Sequence, residues 1–240
     1  MSEKLTIDTK YIDKMLSMVS SIGNILFTGG EPSLRPEIIQ YTVDKLKERN
    51  IPLNSFSLVT NGMKITDEFI EVLKNIHNYT RNKSQNRVST SHDAYHLTPT
   101  KLERFKNNVK RLEQLSFYST NWNDLGYEYD YRILNEGNGE KYGNKRYLHV
   151  DTIEGVFEFS IEGFLYLNPK GNLFHCADMS YKTQEEKVII IGNIMDADFD
   201  LYKNCLEYNK RIKEIKEKVG YHNNIKNVVK CYNEEILEKA

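Results

Sequence analysis

Three strand-like runs in the first hundred residues each end in a turn whose side chains could hold a small polar ligand. Asn24-Ile25-Leu26-Phe27-Thr28 stops at Gly29-Gly30-Glu31-Pro32. A glycine pair lets the main chain approach a ligand closely, because no Cβ intervenes and positive φ is permitted. Glu31 adds a carboxylate that could hold an ammonium group, and Pro32 fixes the exit of the turn. Phe56-Ser57-Leu58-Val59 stops at Thr60-Asn61-Gly62, and Arg87-Val88-Ser89-Thr90-Ser91 stops at His92-Asp93. One such ending is ordinary turn chemistry. Three in succession read as one ligand cradle, with Gly29, Gly30, Glu31, Pro32, Asn61, Ser91 and Asp93 as its residues.

Other groups carry weaker signals. His92 and His96 flank Asp93 at a spacing that can bind a metal, but polar residues at the top of a strand are the simpler reading. His175-Cys176, with Asp178 nearby, has the types of a nucleophile pair. Neighbours in an extended segment point apart, which favours a buried structural cysteine. Residues 210–218 mix Lys, Arg and Glu around Ile212 and Ile215 and read as a solvated helix face. Tyr127, Tyr129 and Tyr131 share one strand face and read as packing.

The turns need a scaffold, and hydrophobic spacing supplies one. Ile7, Ile12, Met15, Leu16 and Val19 predict a helix over 7–21. Pro36 opens a second, with Ile38, Ile39, Val43 and Leu46 on one face. Phe69, Val72, Leu73 and Ile76 mark a third, and Leu102, Phe105, Val109, Leu112 and Leu115 a fourth over 99–115. Strand and helix alternate three times, the pattern of a parallel sheet whose ligands gather at the carboxyl ends of its strands. Beyond Leu115 the pattern changes. A strand is expected over 129–134, a loop over 135–144, a hairpin over 156–167 and a tight turn at Asn168-Pro169-Lys170-Gly171-Asn172. The last segment, 198–240, reads as two helices separated near Gly220.

Composition narrows the classes. Lys and Arg number 33 against 34 Asp and Glu, so a nucleic-acid-backbone binder is not expected. Sixteen Tyr and ten Phe provide for a core and argue against disorder. Three widely spaced cysteines, Cys176, Cys205 and Cys231, suit a reducing compartment, with no Cys-x-x-Cys pair for zinc or redox work. The charged start and the short apolar runs argue against a leader or a membrane helix, so a cytoplasmic protein is expected.

The three turns together resemble the radical S-adenosylmethionine family. Phe27-Thr-Gly-Gly-Glu-Pro-Ser-Leu34 resembles the motif after that family's second strand, where backbone and Glu contact the methionine amino group of the cofactor. Leu58-Val-Thr-Asn-Gly62 resembles the end of its third strand, and Val88-Ser-Thr-Ser-His-Asp93 the end of its fourth, where polar groups reach the ribose. The segments Leu165–Cys176 and Ile191–Ile194 resemble, less closely, pieces found downstream of the barrel. Family members hold a four-iron cluster on Cys-x-x-x-Cys-x-x-Cys in the loop after their first strand. That loop is not in this sequence, which opens on the helix that would follow it. Cys176, Cys205 and Cys231 are too far apart along the chain to form such a motif.

The resemblance implies an α/β fold, an incomplete (β/α) barrel over 5–135, with a β-rich extension over 136–197 and C-terminal helices over 198–240. The chain is expected to be shortened at its N-terminus and to hold no 4Fe–4S cluster, with at most weak binding of S-adenosylmethionine. A non-catalytic, partner-binding protein follows, engaging a protein through the edge from Ile25 to Thr28 or through the helix from Ile225 to Leu237. A bacterial or phage origin, as an inhibitor of host machinery, would suit the Lys-, Asn-, Ile- and Tyr-rich composition. The alternative is a radical oxidoreductase whose cluster-binding segment lies outside this sequence.

Overall fold

The structure, a computed structural model, describes residues 6–91, 99–119, 133–134, 145–146, 149–157, 160–177, 179–220 and 224–235. The chain forms two compact units, one of residues 12–129 and one of residues 1–11 with 130–240.

The first unit is built on three parallel strands, β1 (Ile22–Phe27), β2 (Leu53–Thr60) and β3 (Arg87–Thr90), in the order β1-β2-β3. Helix α1 (Thr9–Ser17) precedes β1, and α2 (Pro36–Glu48), α3 (Asp67–Tyr79) and α4 (Pro99–Leu112) follow the three strands. The first helix is shorter than its apolar spacing predicts and ends at Ser17. Local chemistry sets the other boundaries. Pro36 sits in the first turn of α2, where the missing N–H costs nothing. Thr66 caps α3 by accepting from the Phe69 N–H at 3.1 Å, with Asp67 and Glu68 favourably placed in the first turn. Three carbonyls at and just beyond the end of α3, those of His77, Asn78 and Thr80, accept from the Lys83 ammonium.

The two faces of this sheet differ. Strand alternation sends Phe56, Leu58 and Val88 to one face, where all three are buried at 1 % exposure or less. The register pairs Asn24 with Ser55, Leu26 with Ser57, and Val59 with Ser89, so the opposite face is rich in hydroxyls and amides. Parallel strands covered on both sides normally read as continuous apolar runs. Here one face is dry and the other is polar. Asn24 donates to the Ser55 hydroxyl at 2.8 Å, and Ser55 donates to the Gly23 carbonyl at 3.3 Å.

Past α4 the chain returns beside β3: the Val88 N–H donates to Phe117, and the Ser119 N–H donates to Val88. This bridge is parallel, so the βα alternation continues to the far edge of the sheet. At the other edge, β1 pairs with β2 alone among the described residues.

In the second unit, β4 (Ile133–Leu134) and β5 (Lys145–Arg146) form a short parallel pair. The expected strand over 129–134 is described only at its last two residues, Ile133 and Leu134, and the expected loop over 135–144 lies outside the described residues. The expected hairpin over 156–167 is replaced by two. Strands β6 (Gly155–Phe157) and β7 (Ser160–Glu162) make the first, and β8 (Tyr166–Leu167) pairs with β9 (Asn172–Phe174) across the Asn168 turn. Gly163, at φ 156°, separates them. Strand β10 (Gly192–Asn193) adds antiparallel to β9. Helix α5 (Leu201–Val219) starts at Asp200, whose side chain accepts from the Lys203 N–H at 2.7 Å. It ends at Gly220, which has positive φ. Helix α6 (Ile225–Glu235) packs on α5, and α5 also packs on β6. Among the described residues no helix is long and apolar enough to cross a membrane.

Candidate functional site

The parallel register puts the three turns at one end of the sheet, because Phe27 pairs with Leu58 and Thr60 with Thr90. Gly29 and Gly30 follow β1 with φ of 82° and 37°, both in the region that favours glycine. Both are exposed, and a Cβ built on Gly30 would meet nothing within 4 Å. The glycine at 30 therefore answers a backbone need and leaves open space beside the main chain.

Glu31 sits at the head of a single tight turn formed by Pro32–Leu34. Its Oε1 accepts from the Ser33 N–H at 3.1 Å, from the Ser33 hydroxyl at 2.7 Å and from the Thr60 hydroxyl at 2.5 Å. Its Oε2 accepts from the Asn61 N–H at 2.7 Å. The carboxylate thus joins the β1 turn to the β2 turn. Sequence reading gave Glu31 a ligand-facing part and missed its protein partners on the β2 turn, Thr60 and Asn61.

Asn61 is half-buried, and its Oδ1 closes the turn by accepting from the Met63 N–H at 2.9 Å. Gly62, at φ 67°, donates to the Thr60 hydroxyl at 3.1 Å, and its carbonyl accepts from Asn108 of α4 at 2.8 Å. Ser91 is half-buried and donates its N–H to the Thr60 carbonyl at 2.8 Å. The Thr90 hydroxyl lies 2.9 Å from the Tyr118 hydroxyl, and burial pushes that phenol above its ordinary pKa. Gly29, Gly30, Glu31, Pro32, Asn61 and Ser91 are therefore gathered on one rim. Asp93, His92 and His96 lie outside the described residues, as do Tyr127, Tyr129, Tyr131 and Asp178.

Sequence reading also missed the polar face of the sheet. Asn24, Ser55, Ser57 and Ser89 share it, and Ser91 follows by alternation. The signal was present, since serines recur at every second position in Ser55-Phe56-Ser57 and Ser89-Thr90-Ser91.

The cysteines sit elsewhere. Cys205 on α5 is fully buried, and burial alone pushes its thiol up to about 12. Cys176 follows β9, and Cys231 is on α6. All three belong to the second unit, whereas the rim belongs to the first. A 4Fe–4S cluster needs neighbouring thiolates. A buried, protonated thiol at Cys205, with Cys176 and Cys231 on separate elements, does not fit one. His175 is likewise engaged, with Nδ1 2.6 Å from the Phe164 carbonyl.

Among curated proteins none matches the chain. Residues 7–114, which run from the approach to α1 through α4 and hold all three turns, match the family model described as the Radical SAM superfamily. With its alternating strands and helices and its Gly-Gly-Glu-Pro turn on the rim, this stretch of the chain is similar to that superfamily.

Proposed function

We propose that this chain, taken by itself, is a radical SAM-derived binding protein whose sheet is part of an incomplete (β/α) barrel and which works by accepting a partner protein's strand. The observation that carries this reading is the edge strand β1. Its pattern of exposure leaves none of its six residues buried, and Leu26 is 37 % exposed. The strand Ile-Gly-Asn-Ile-Leu-Phe holds no charge and no proline, the devices that normally blunt an edge against another chain. An extended segment can add there through main-chain hydrogen bonds. On the second surface expected from sequence, Ile225 and Val228 of α6 are 3 % and 0 % exposed, Val229 and Tyr232 are half-buried, and Ile236 and Leu237 lie outside the described residues.

The rim remains suited to the amino-acid and ribose ends of S-adenosylmethionine. Without a metal to chelate, several kcal/mol of binding are lost by analogy with metal-linked sites, and each ~1.4 kcal/mol is tenfold. Affinity in the high micromolar range or weaker is expected. A second reading rests on the same edge: a strand carrying a three-cysteine loop, from outside this sequence, could pair with β1 and restore a radical oxidoreductase.

Two measurements test the proposal. Anaerobic reconstitution with iron and sulfide should leave substoichiometric iron and yield no 5′-deoxyadenosine from S-adenosylmethionine and a strong reductant. A stoichiometric cluster with turnover would overturn it. A photo-crosslinking residue at Leu26 should give a discrete protein adduct in the expressing cell, while the same residue at exposed Glu68 on α3 gives none. Equal or absent adducts at both positions would refute the edge as the working surface.

A further inference from the structure

We propose that the cleft beside the Asn168–Asn172 turn of the second unit binds a small free α-amino acid with an apolar side chain, gripped by its carboxylate and its ammonium at once. The inference does not rest on the β1 edge or on the rim, both of which belong to the first unit.

The cleft encloses about 220 Å³, the space of about seven waters or of a molecule the size of valine. Its frame is fixed by main-chain bonds. The Asn168 N–H donates to the Asn172 carbonyl and the Gly171 N–H to the Asn168 carbonyl, both at 3.0 Å, which closes the turn. The Gln184 N–H donates to the Ser180 carbonyl at 3.0 Å, and the Ile190 carbonyl accepts from the Arg211 guanidinium at 2.7 Å. Asn168 and Gln184 are 2 % and 5 % exposed, so two of the lining amides are buried. Pro169, Ile190 and the exposed ring of Tyr181 supply apolar surface for a ligand's side chain.

The hydrogen bonds also fix which end of each amide is spoken for. Asn193 Oδ1 accepts from the Met195 N–H at 3.0 Å, so its Nδ2 is the donor to the Lys170 carbonyl at 3.1 Å and to Asn172 Oδ1 at 2.9 Å. Asn172 Nδ2 is the end left over, and it has no acceptor among the described residues. Asn168 Oδ1 accepts from the Lys170 and Asn172 N–H groups at 2.9 and 3.0 Å, so its Nδ2 donates to Gln184 Oε1 at 3.0 Å. Gln184 Nε2 in turn donates to the Met179 carbonyl at 3.0 Å. Asn168 and Gln184 each spend one of their two side-chain N–H bonds in this way. All three amides lining the cleft therefore have their oxygens engaged and N–H groups to spare. Such a lining suits an acceptor, and a carboxylate is the strongest small one.

The charged residues add the second half of the selection. Lys170 and Glu185 both line the cleft, and the ammonium lies 3.1 Å from the carboxylate with both side chains largely exposed. A purely anionic ligand would draw Lys170 away and leave Glu185 facing a like charge. An α-amino acid satisfies both partners, its carboxylate meeting Lys170 and the spare amide N–H groups and its ammonium meeting Glu185.

The probes are L-valine, isovalerate, which lacks the amine, and isobutylamine, which lacks the carboxylate. Each is titrated into the isotope-labelled full chain and read by NMR at the side-chain amides of Asn168, Asn172 and Gln184. L-valine should shift these resonances saturably, while the other two bind at least about tenfold more weakly for the loss of one charge-assisted contact. Glu185→Gln should remove most of the preference for L-valine over isovalerate. Asn172→Asp keeps the acceptor that Asn193 uses and puts a negative oxygen where the spare donor stood, so it should abolish saturable L-valine binding. No saturable shift with L-valine would mean a cleft that holds water alone, and would overturn the proposal. Equal affinity for L-valine and isovalerate would overturn it too, as would unchanged L-valine binding in Asn172→Asp. If Asn172→Asp does not fold, Glu185→Gln on its exposed side chain carries the test: an unchanged preference for L-valine refutes the site.

Discussion

Gly62 is the position where the rim and the core of the first unit meet, and replacing it tests both. The residue sits at φ 67°, and a Cβ there would lie 2.8 and 2.9 Å from two ring carbons of Phe105 and 3.4 Å from the Thr90 methyl. Left-handed backbone costs a residue with a Cβ about 1–2 kcal/mol. Forcing a methyl against a ring that is only 4 % exposed adds an overpacking cost of about 1–3 kcal/mol. Gly62→Ala should therefore lose about 2–5 kcal/mol, a large share of the about 5–15 kcal/mol that holds a domain folded. Urea unfolding followed by circular dichroism gives the cost from the midpoint at constant slope. Because the chain divides into two units, two transitions can be resolved, and only the one belonging to residues 12–129 should move. The steric part is separable. In a Phe105→Leu background the smaller side chain gives way, so the double variant should be more stable than the sum of single costs predicts by about 1–3 kcal/mol. A Gly62→Ala midpoint equal to wild type, or strict additivity with Phe105→Leu, would show that this turn is not built as described.

Two further predictions concern the opposite end of the same sheet. Asn86 is fully buried; its Oδ1 accepts from the Phe56 N–H at 3.1 Å, and its Nδ2 donates to the Thr80 hydroxyl at 2.7 Å and meets His77 Nδ1 at 2.8 Å. Asn86→Leu should cost about 2–5 kcal/mol in urea unfolding, since a stranded buried N–H alone costs about 1–3 kcal/mol; a cost under about 0.5 kcal/mol would refute that accounting. Because Oδ1 is committed to Phe56, Nδ1 of His77 must accept, which requires the neutral imidazole with its proton on Nε2. Burial, and then the Lys83 charge, lower the His77 pKa from its ordinary 6.5. The unfolded chain therefore binds the proton more readily than the folded one, so this contribution is whole above pH 6.5 and is lost as pH falls towards the folded value. His77→Gln should flatten the stability profile between about pH 7 and pH 5; an unchanged slope would rule His77 out as its source.

How far sequence reached depended on distance along the chain. Helices α2, α3 and α4 were legible because Ile39, Val43 and Leu46, then Phe69, Val72, Leu73 and Ile76, then Phe105 and Leu112 repeat at helical spacing and are all buried. The three turns were legible because glycine and polar residues punctuate strands within a few positions. The hairpin across the Asn168–Asn172 turn was legible for the same reason, but the strand β10 that adds to it was not. The Ile191 N–H donates to the Leu173 carbonyl and Gly192 pairs with Leu173, and no local pattern announces a partner that far back along the chain. On the α6 stripe Ile225 and Val228 are buried while Val229 and Tyr232 are half-buried, and periodicity says that a face is apolar but not what covers it.

Glu31 shows why a site is harder to read than a fold. The residue type and its place after two glycines mark it as a candidate site residue, and both facts are local. Whether its carboxylate faces a ligand or the protein depends on Thr60 and Asn61, on the turn of a different strand, and on the register that pairs Phe27 with Leu58. A shift of one residue in that register would send the side chains of β1 to the opposite face of the sheet. The register is held by the dry face, where Phe56 and Leu58 pack at 0 % and 1 % exposure. The polar face opposite carries Asn24, Ser55, Ser57 and Ser89, of which Ser55 and Ser89 are themselves buried at 4 % and 5 % exposure. One side of the sheet thus fixes where each strand ends, and the chemistry of the rim follows from that alignment rather than from any single motif residue.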